Sequence, residues 1–424
     1  MLNKFLIYFL YSVPIFFILG NPFINLFVIV ICFNFYYVRK DLKFIDKKLI
    51  FLLISLGLFF FISSLSSNYL EYSLAKSLSY SRFFVLLIIL PLFIKKIDIN
   101  LTNLGIAFFS VIVFVIVDTL IQLFFGKDIF GFPDNDSYNR LSGPFGDELI
   151  VGNFVFYFGF ISLALILKNK NIENNFLFLF FLVIGIFAFI SGERNTFLSY
   201  FIFMFFLIIL SKKRITIMLS CITVITISML LFLNFERFNN KYSINQIQGY
   251  KSQENNNQQE QNQISKKEIF TEIKNKIMNS IWVSHYRGGI KIFEKNKLYG
   301  SGFKTFRHQC RDQFNNESLR KQSKIICSNH PHNIYIELIS DTGIFGFVTF
   351  LILCLYYLFY SIKNNWIKND LSISILNCLL ITFLFPLKPH GSLFSTSTAF
   401  IFWFIFSLLI LDIFNKNLNK SYVN

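Results

Sequence analysis

Apolar segments of roughly 20 residues recur along the whole chain, and the connections between them alternate between basic and nearly uncharged. That pattern constrains the fold more than any other feature. A helix that crosses a bilayer needs about 20 mostly apolar residues. A helix also pairs its backbone polar groups internally, as the hydrocarbon interior requires. Such segments lie at 4–20, 22–38, 49–66, 80–94, 101–123, 149–167, 175–191, 195–211, 214–233, 332–360, 371–387 and 395–414. Composition agrees with a membrane class: hydrophobic residues make up 54% of the chain and charged residues only 15%, against about 25% charged in soluble domains. The expectation is an all-α polytopic membrane protein of twelve spans. The first segment carries one Lys4, lacks a small-residue cleavage site and runs into the second. It reads as an anchor, not a signal peptide.

The charges assign a sidedness. Arg39, Lys40, Lys43, Lys47 and Lys48 follow the second segment, Lys95 and Lys96 the fourth, and Lys168 and Lys170 the sixth. Lys212, Lys213 and Arg214 follow the eighth, Lys363 and Lys368 the tenth, and Lys416 and Lys420 the twelfth. The short odd-numbered turns, such as Gly20-Asn21 and Ser191 to Thr196, carry almost no lysine. By the positive-inside rule both termini are cytoplasmic and the odd-numbered loops face outward. The net charge of +16 is spread in these short groups and not gathered on one domain, so membrane lipids and not nucleic acid are the expected partners. The chain lacks GxxxxGK[ST], GxGxxG, paired CxxC and HExxH, the common nucleotide and metal fingerprints. Three regions follow: helices over 1–233, a large outward loop over 234–331, and helices with a cytoplasmic tail over 332–424.

The loop changes character along its length. Residues 246–263 are rich in Asn and Gln with almost no apolar residue, too polar to order themselves. Ile269, Ile273, Ile277, Ile281 and Trp282 recur at helical spacing, which predicts an amphipathic helix lying on the membrane or on the bundle. Tyr299-Gly300-Ser301-Gly302 then signals a turn. Cys310 and Cys327 are the only cysteines outside the spans. A disulfide between them is the favoured reading, because an outward loop sits in an oxidising compartment. Two free thiols are the alternative.

Ionisable groups in apolar spans are costly and call for a reason. Arg82, Asp118, Gln122, Arg140, Arg194, Arg287, Lys388 and His390 all fall on the side assigned to the outside. Four of the five histidines lie between His285 and His332, and Asn329-His330-Pro331-His332-Asn333 stands where the loop meets a span. Imidazole exchanges protons near neutral pH, and a guanidinium forks onto phosphate with two parallel bonds. Pro331 is read as the first turn of the tenth helix, whose free N–H groups would favour an anion. The plainer readings stand beside these. Arg194 is then a snorkelling interfacial residue, Asp118 a packing partner of Arg82, and His330 and His332 are caps. Gly343 and Gly346 are read as a close helix contact. His-x-His at a helix start lacks the usual zinc ligand set, so no metal is expected.

His332-Asn333, nine residues, then Gly343-Ile344-Phe345-Gly346 resembles the signature of the O-antigen ligase and polymerase superfamily. Ser191-Gly192-Glu193-Arg194-Asn195-Thr196 resembles that family's arginine hairpin. Arg287 through Phe293 to Tyr299-Gly300-Ser301-Gly302-Phe303 resembles its loop helix and Gly-x-Gly turn, and Arg140-Leu141-Ser142-Gly143-Pro144-Phe145 a further shared stretch. Asn296-Lys297-Leu298 departs from the Asn-Pro of many relatives. The resemblance implies a GT-C-like bundle with its large loop between helices nine and ten. The implied enzyme sits in the bacterial inner membrane and acts at the periplasmic face without metal or nucleotide cofactor. It would move a glycan from undecaprenyl diphosphate to a sugar hydroxyl on lipid A-core or on a growing glycan. His332 would activate the acceptor and Arg194 and Arg287 would hold the diphosphate, with Arg82, Asp118, Gln122, Arg140, Asn333, Lys388 and His390 in support. The His-Asn motif favours the ligase type, with polymerase as the alternative. A transporter or flippase is the competitor from another class, but transporters carry mid-membrane polar groups and internal repeats, and neither is evident here.

Overall fold

The structure, a computed structural model, describes residues 2–134, 139–238, 280–314 and 324–421. Among these, regular structure is helical apart from an isolated bridge between Lys127 and Pro133. Seven helices are long and apolar enough to cross a membrane: Asn21–Phe44, Lys47–Leu65, Leu70–Lys96, Leu101–Phe125, Arg214–Asn234, Ile334–Lys368 and Thr396–Ile413. Val151–Leu167, Asn174–Ile190, Arg194–Leu210 and Leu371–Phe383 are apolar but shorter.

The boundaries follow local chemistry. Asp46, Asn100, Asn333 and Asp370 each place a side-chain oxygen on free N–H groups at a helix start, a cap worth about 1 kcal/mol. Gly126, in the left-handed region at φ 76°, closes Leu101–Phe125. The first apolar segment is not one helix. It breaks at Ser12 into Leu2–Tyr11 and Val13–Ile18, with Pro14 in the first turn of the second piece.

The core is built from phenylalanine. Val151–Leu167 and Thr396–Ile413 are largely enclosed, with Phe156, Phe158, Phe160, Phe402 and Phe404 at 0% exposure. Phe160 and Phe203 sit 4.0 Å apart between ring centroids, and Phe108 stacks on Phe404 at 6.2 Å. The lipid-facing sides stay apolar as well: Ile215, Ile222 and Met229 along Arg214–Asn234 are exposed. A helix apolar all round belongs inside a bilayer.

Two ends of the bundle can be told apart by their bonds. At one end Lys168 pairs with Asp412 at 2.9 Å and with Asp370 at 3.8 Å. At the other, Leu141 N donates to Ser191 O, His390 N donates to His332 O at 2.9 Å, and Ser63 Oγ donates to Asp341 O. The histidines and the arginine hairpin are at this second end. The described loop residues also pack there. Ile281–Lys295 and Phe306–Gln313 enclose a small separate core of Ile292, Phe306, Cys310, Phe314 and Ile325. Cys310 and Cys327 are joined in a disulfide across it. Of the amphipathic pattern expected from Ile269 to Trp282, Ile269, Ile273 and Ile277 lie outside the described residues, as does the stretch 246–263. Ile281 and Trp282 open the helix Ile281–Lys295, which Ser280 caps.

Candidate functional site

The helix Ile334–Lys368 is broken. Gly343 has φ 66° and ψ −172° inside it, and the turn at residues 299–302 docks backbone to backbone on the break. Ser301 N donates to Ser340 O at 3.0 Å, Gly302 N to Asp341 O at 3.1 Å, and Ile344 N to Lys297 O at 2.9 Å. A Cβ on Gly343 would meet Leu298 O at 2.3 Å. The close contact read from these glycines is therefore with loop backbone and not with a second helix. Gly346 faces the side chain of Thr342, one turn earlier on its own helix.

At the start of this helix the cap is Asn333, not a histidine. Its Oδ1 accepts from Tyr335 N at 3.0 Å and Ile336 N at 3.2 Å. Its Nδ2 donates to Pro386 O at 2.9 Å. Pro331 accordingly lies outside the helix and not in its first turn. His332 stands just before the cap with φ 57°, a conformation that costs a β-carbon residue about 1–2 kcal/mol. The His390 N–H to its carbonyl helps to fix it there.

The His332 ring is enclosed by other rings. His330 is 4.1 Å away between centroids, His285 5.1 Å and Trp282 5.1 Å. His285 Nδ1–H donates to Ile326 O at 2.7 Å, His330 Nε2–H to His390 O at 3.2 Å, and His390 Nε2–H to Phe383 O at 2.6 Å. Each assignment follows from the partner being a carbonyl, which only accepts. Burial, and then the neighbouring His330 and His285, push His332 down to about 3. Burial also lowers His330, and burial followed by Lys388 takes His390 to about 3. His332, His330 and His390 are therefore neutral at physiological pH, the form in which imidazole accepts a proton.

Two cavities flank the segment 388–392, and Gly391 lines both. One, of about 290 Å³, is lined by Tyr72, Lys304, Arg307, His330, Glu337 and Asp341 among others. The other, of about 160 Å³, combines Phe17, Ile150, Phe154 and Ile401 with Asn153, Asn195, Lys388 and His390. Lys388 is buried there. Its Nζ donates to Ser199 Oγ at 3.0 Å and to Tyr157 OH at 3.3 Å, and burial lowers it to about 7.

The other expected residues separate by role. Arg194 is exposed at the first position of Arg194–Leu210, next to Asn195 of the second cavity. Arg287 is half-buried on Ile281–Lys295, two residues after His285. Asp118 does not pair with Arg82. Its Oδ1 accepts from Ile129 N at 2.9 Å, while Arg82 donates to Asn25 Oδ1 at 2.9 Å. Gln122 accepts from Ser142 N and Gly143 N and donates to Phe132 O, Pro133 O and Ser142 Oγ. Asp118 and Gln122 thus hold the loop that follows their helix. Arg140 donates to Leu149 O and lies 3.9 Å from Glu193. Among the described residues no three His, Cys, Asp or Glu side chains are grouped to hold a metal ion.

Sequence reasoning passed over Glu193, Glu337, Asp341 and Lys304. Glu193 is buried at the arginine hairpin. It accepts from Gly152 N at 2.7 Å, Asn153 N at 3.2 Å, Asn153 Nδ2 at 2.9 Å and Thr196 Oγ1 at 2.8 Å. The hairpin is thereby tied to the start of Val151–Leu167. Its place directly before Arg194 was the available signal.

A multi-pass helical membrane protein with a histidine cluster that reaches two cavities through His330 and His390 is the class that fold and site define. Residues 177–351 match the family model described as O-antigen ligase. That match supports the O-antigen ligase and polymerase superfamily. That segment runs from the helix before the arginine hairpin to past the Gly343 break. No curated protein matches the chain.

Proposed function

We propose that the chain transfers a glycan from undecaprenyl diphosphate to an acceptor sugar hydroxyl at the periplasmic face of the inner membrane, as an O-antigen ligase. The observation that carries the reading is the contact of His332 with His330, which lines one cavity, and its bond to His390, which lines the other, inside the segment that matches that family.

In this reading His332 takes the proton of the acceptor hydroxyl. The oxygen forms its bond to the anomeric carbon as the bond from that carbon to the diphosphate oxygen breaks. The diphosphate leaves with the electron pair, held by Arg194, Arg287 and Lys388. The second cavity suits this donor: apolar rings for the isoprenoid tail and the Lys388 ammonium for the phosphates. An anion brought near His332 stabilises the imidazolium and raises its basicity. The base therefore strengthens only when the donor is present. The energy resides in the donor's diphosphate, so the reading requires neither nucleotide nor metal. Twelve spans, cytoplasmic termini and the outward loop are parts of the same proposal.

The test is the lipopolysaccharide pattern of a deletion strain. Polymer that fails to reach lipid A-core is the expected result. Core capped by a single repeat would make the enzyme a polymerase, and an unchanged pattern would refute both.

A further inference from the structure

Beside the cavity that holds His330 lies a third cavity of about 160 Å³, lined by Asn25, Lys76, Ser79, Tyr80, Arg82 and Lys304 with Phe394 and Thr396. Three cations line it and no carboxylate does. Lys304 also lines the 290 Å³ cavity that holds His330, so the two are neighbours. Lys304 is a left-handed residue at φ 60°, and its Nζ donates to Phe394 O at 2.8 Å. Arg307 and Lys76 stand over the same Tyr72 ring at 5.3 Å and 5.4 Å. The buried Arg82 Nε has no hydrogen-bond partner.

These four cations act on one another. Burial holds the Lys304 ammonium below its ordinary range; Glu337 acts next, in the other direction, and Lys76, Arg307 and Arg82 add to the lowering. Among the described residues none of the four is in an ion pair. Like charges gathered without paired carboxylates repel, and a bound anion relieves that repulsion. Thr396 stands at the start of an apolar helix, where free N–H groups also favour an anion. An amphiphile anchored in the bilayer reaches such a site with its headgroup.

We infer that Lys76, Arg82, Lys304 and Arg307 bind a phosphoryl group carried by the acceptor lipid, at a site separate from the donor diphosphate. The assignment to the acceptor rests on the transfer reaction proposed above. Lys388 lines one cavity and Lys304 lines two others, so the two substrates would be held in different cavities. Two sources supply the same chemistry: a phosphorylated lipid A-core, or the diphosphate of a second lipid-linked glycan.

The test measures binding, which does not depend on transfer. Full-length protein in nanodiscs is titrated with bisphosphorylated lipid A, with its dephosphorylated form, and with undecaprenyl diphosphate. The variant is Lys76→Ala with Arg307→Ala, both at least partly solvent-accessible positions, checked by size exclusion. The site predicts at least a ten-fold preference for one phosphorylated lipid over the dephosphorylated form, and loss of that preference in the variant. Which lipid loses affinity identifies the source. Equal affinity for phosphorylated and dephosphorylated lipid, or a preference that survives in the variant, overturns the site. If binding behaves as stated but no glycan is transferred, the anion site stands and the transfer reaction fails.

Discussion

Gly300 and Gly343 exclude each other's side chains. A Cβ on Gly300 would lie 2.5 Å from Gly343 N, and a Cβ on Gly343 would lie 2.5 Å from Gly300 N. Both have positive φ, 77° and 66°. This pair presses the loop turn onto the break in Ile334–Lys368 and so sets the height of Lys304 and Arg307 relative to His330. Gly343→Ala combines left-handed strain with overpacking against backbone, which together cost about 2–5 kcal/mol. Thermal unfolding in detergent should show a large fall for Gly343→Ala and little change for Gly57→Ala. Gly57 is helical, and its added Cβ would meet only the Phe84 ring at 3.7 Å. Equal effects at the two sites would contradict the docking.

Glu193 and Arg194 are adjacent, yet their substitutions should separate. Glu193→Ala leaves two backbone N–H groups and the Thr196 hydroxyl without their acceptor, at about 1–3 kcal/mol for each unsatisfied buried group. It should lower the melting temperature and transfer together. Arg194 is exposed, so Arg194→Ala should reduce donor use with a much smaller change in melting temperature. A stable, fully active Glu193→Ala enzyme would remove the anchoring role.

Much of this was legible in the chain, for physical reasons. Apolar length marks the helices, because a bilayer enforces it. The His332-Asn333 pair and the arginine hairpin could be picked out as motifs. What pattern could not reveal was pairing between distant segments. Asp118 and Gln122 look like site residues on an apolar helix, yet they bond to a loop 10 to 21 positions away. Lys304 looks like an ordinary loop lysine until the turn docks and brings it beside Arg82 and Glu337. Ser12 gave no strong sign of a break, since Pro14 alone is tolerated in a helix's first turn.

Acid should loosen the histidine corner. His332 and His390 are held at about 3 and His330 is also lowered, chiefly by burial, against 6.5 for a free imidazole. Their contribution is complete above 6.5, where both states are neutral. It is lost as pH falls from 6.5 toward 3, because the unfolded chain takes up protons that the folded one does not. His390→Gln removes one such group, so its melting temperature should fall less than wild type between pH 7.5 and 5. Taking that difference cancels groups of opposite sign such as Glu193, whose carboxyl burial raises. An identical pH slope in the two proteins would count against the buried neutral state.

The disulfide links residues 17 apart across the small loop core. On the chain-entropy model it contributes about 3 kcal/mol. Thiol labelling of unreduced, denatured protein should modify Cys32, Cys221, Cys354 and Cys378 and leave Cys310 and Cys327 unmodified. Reductant should lower the melting temperature. Labelling of all six without reductant would show the bridge absent.

His332 is proposed to be the base of a glycan transfer. Its most direct test is a reconstituted assay with purified protein, an undecaprenyl-diphosphate-linked glycan and lipid A-core, comparing wild type with His332→Ala. A fall in transfer rate of about 10²–10⁴-fold is expected, with donor binding retained and the protein still folded. A His332→Ala enzyme that transfers glycan at the wild-type rate would contradict it.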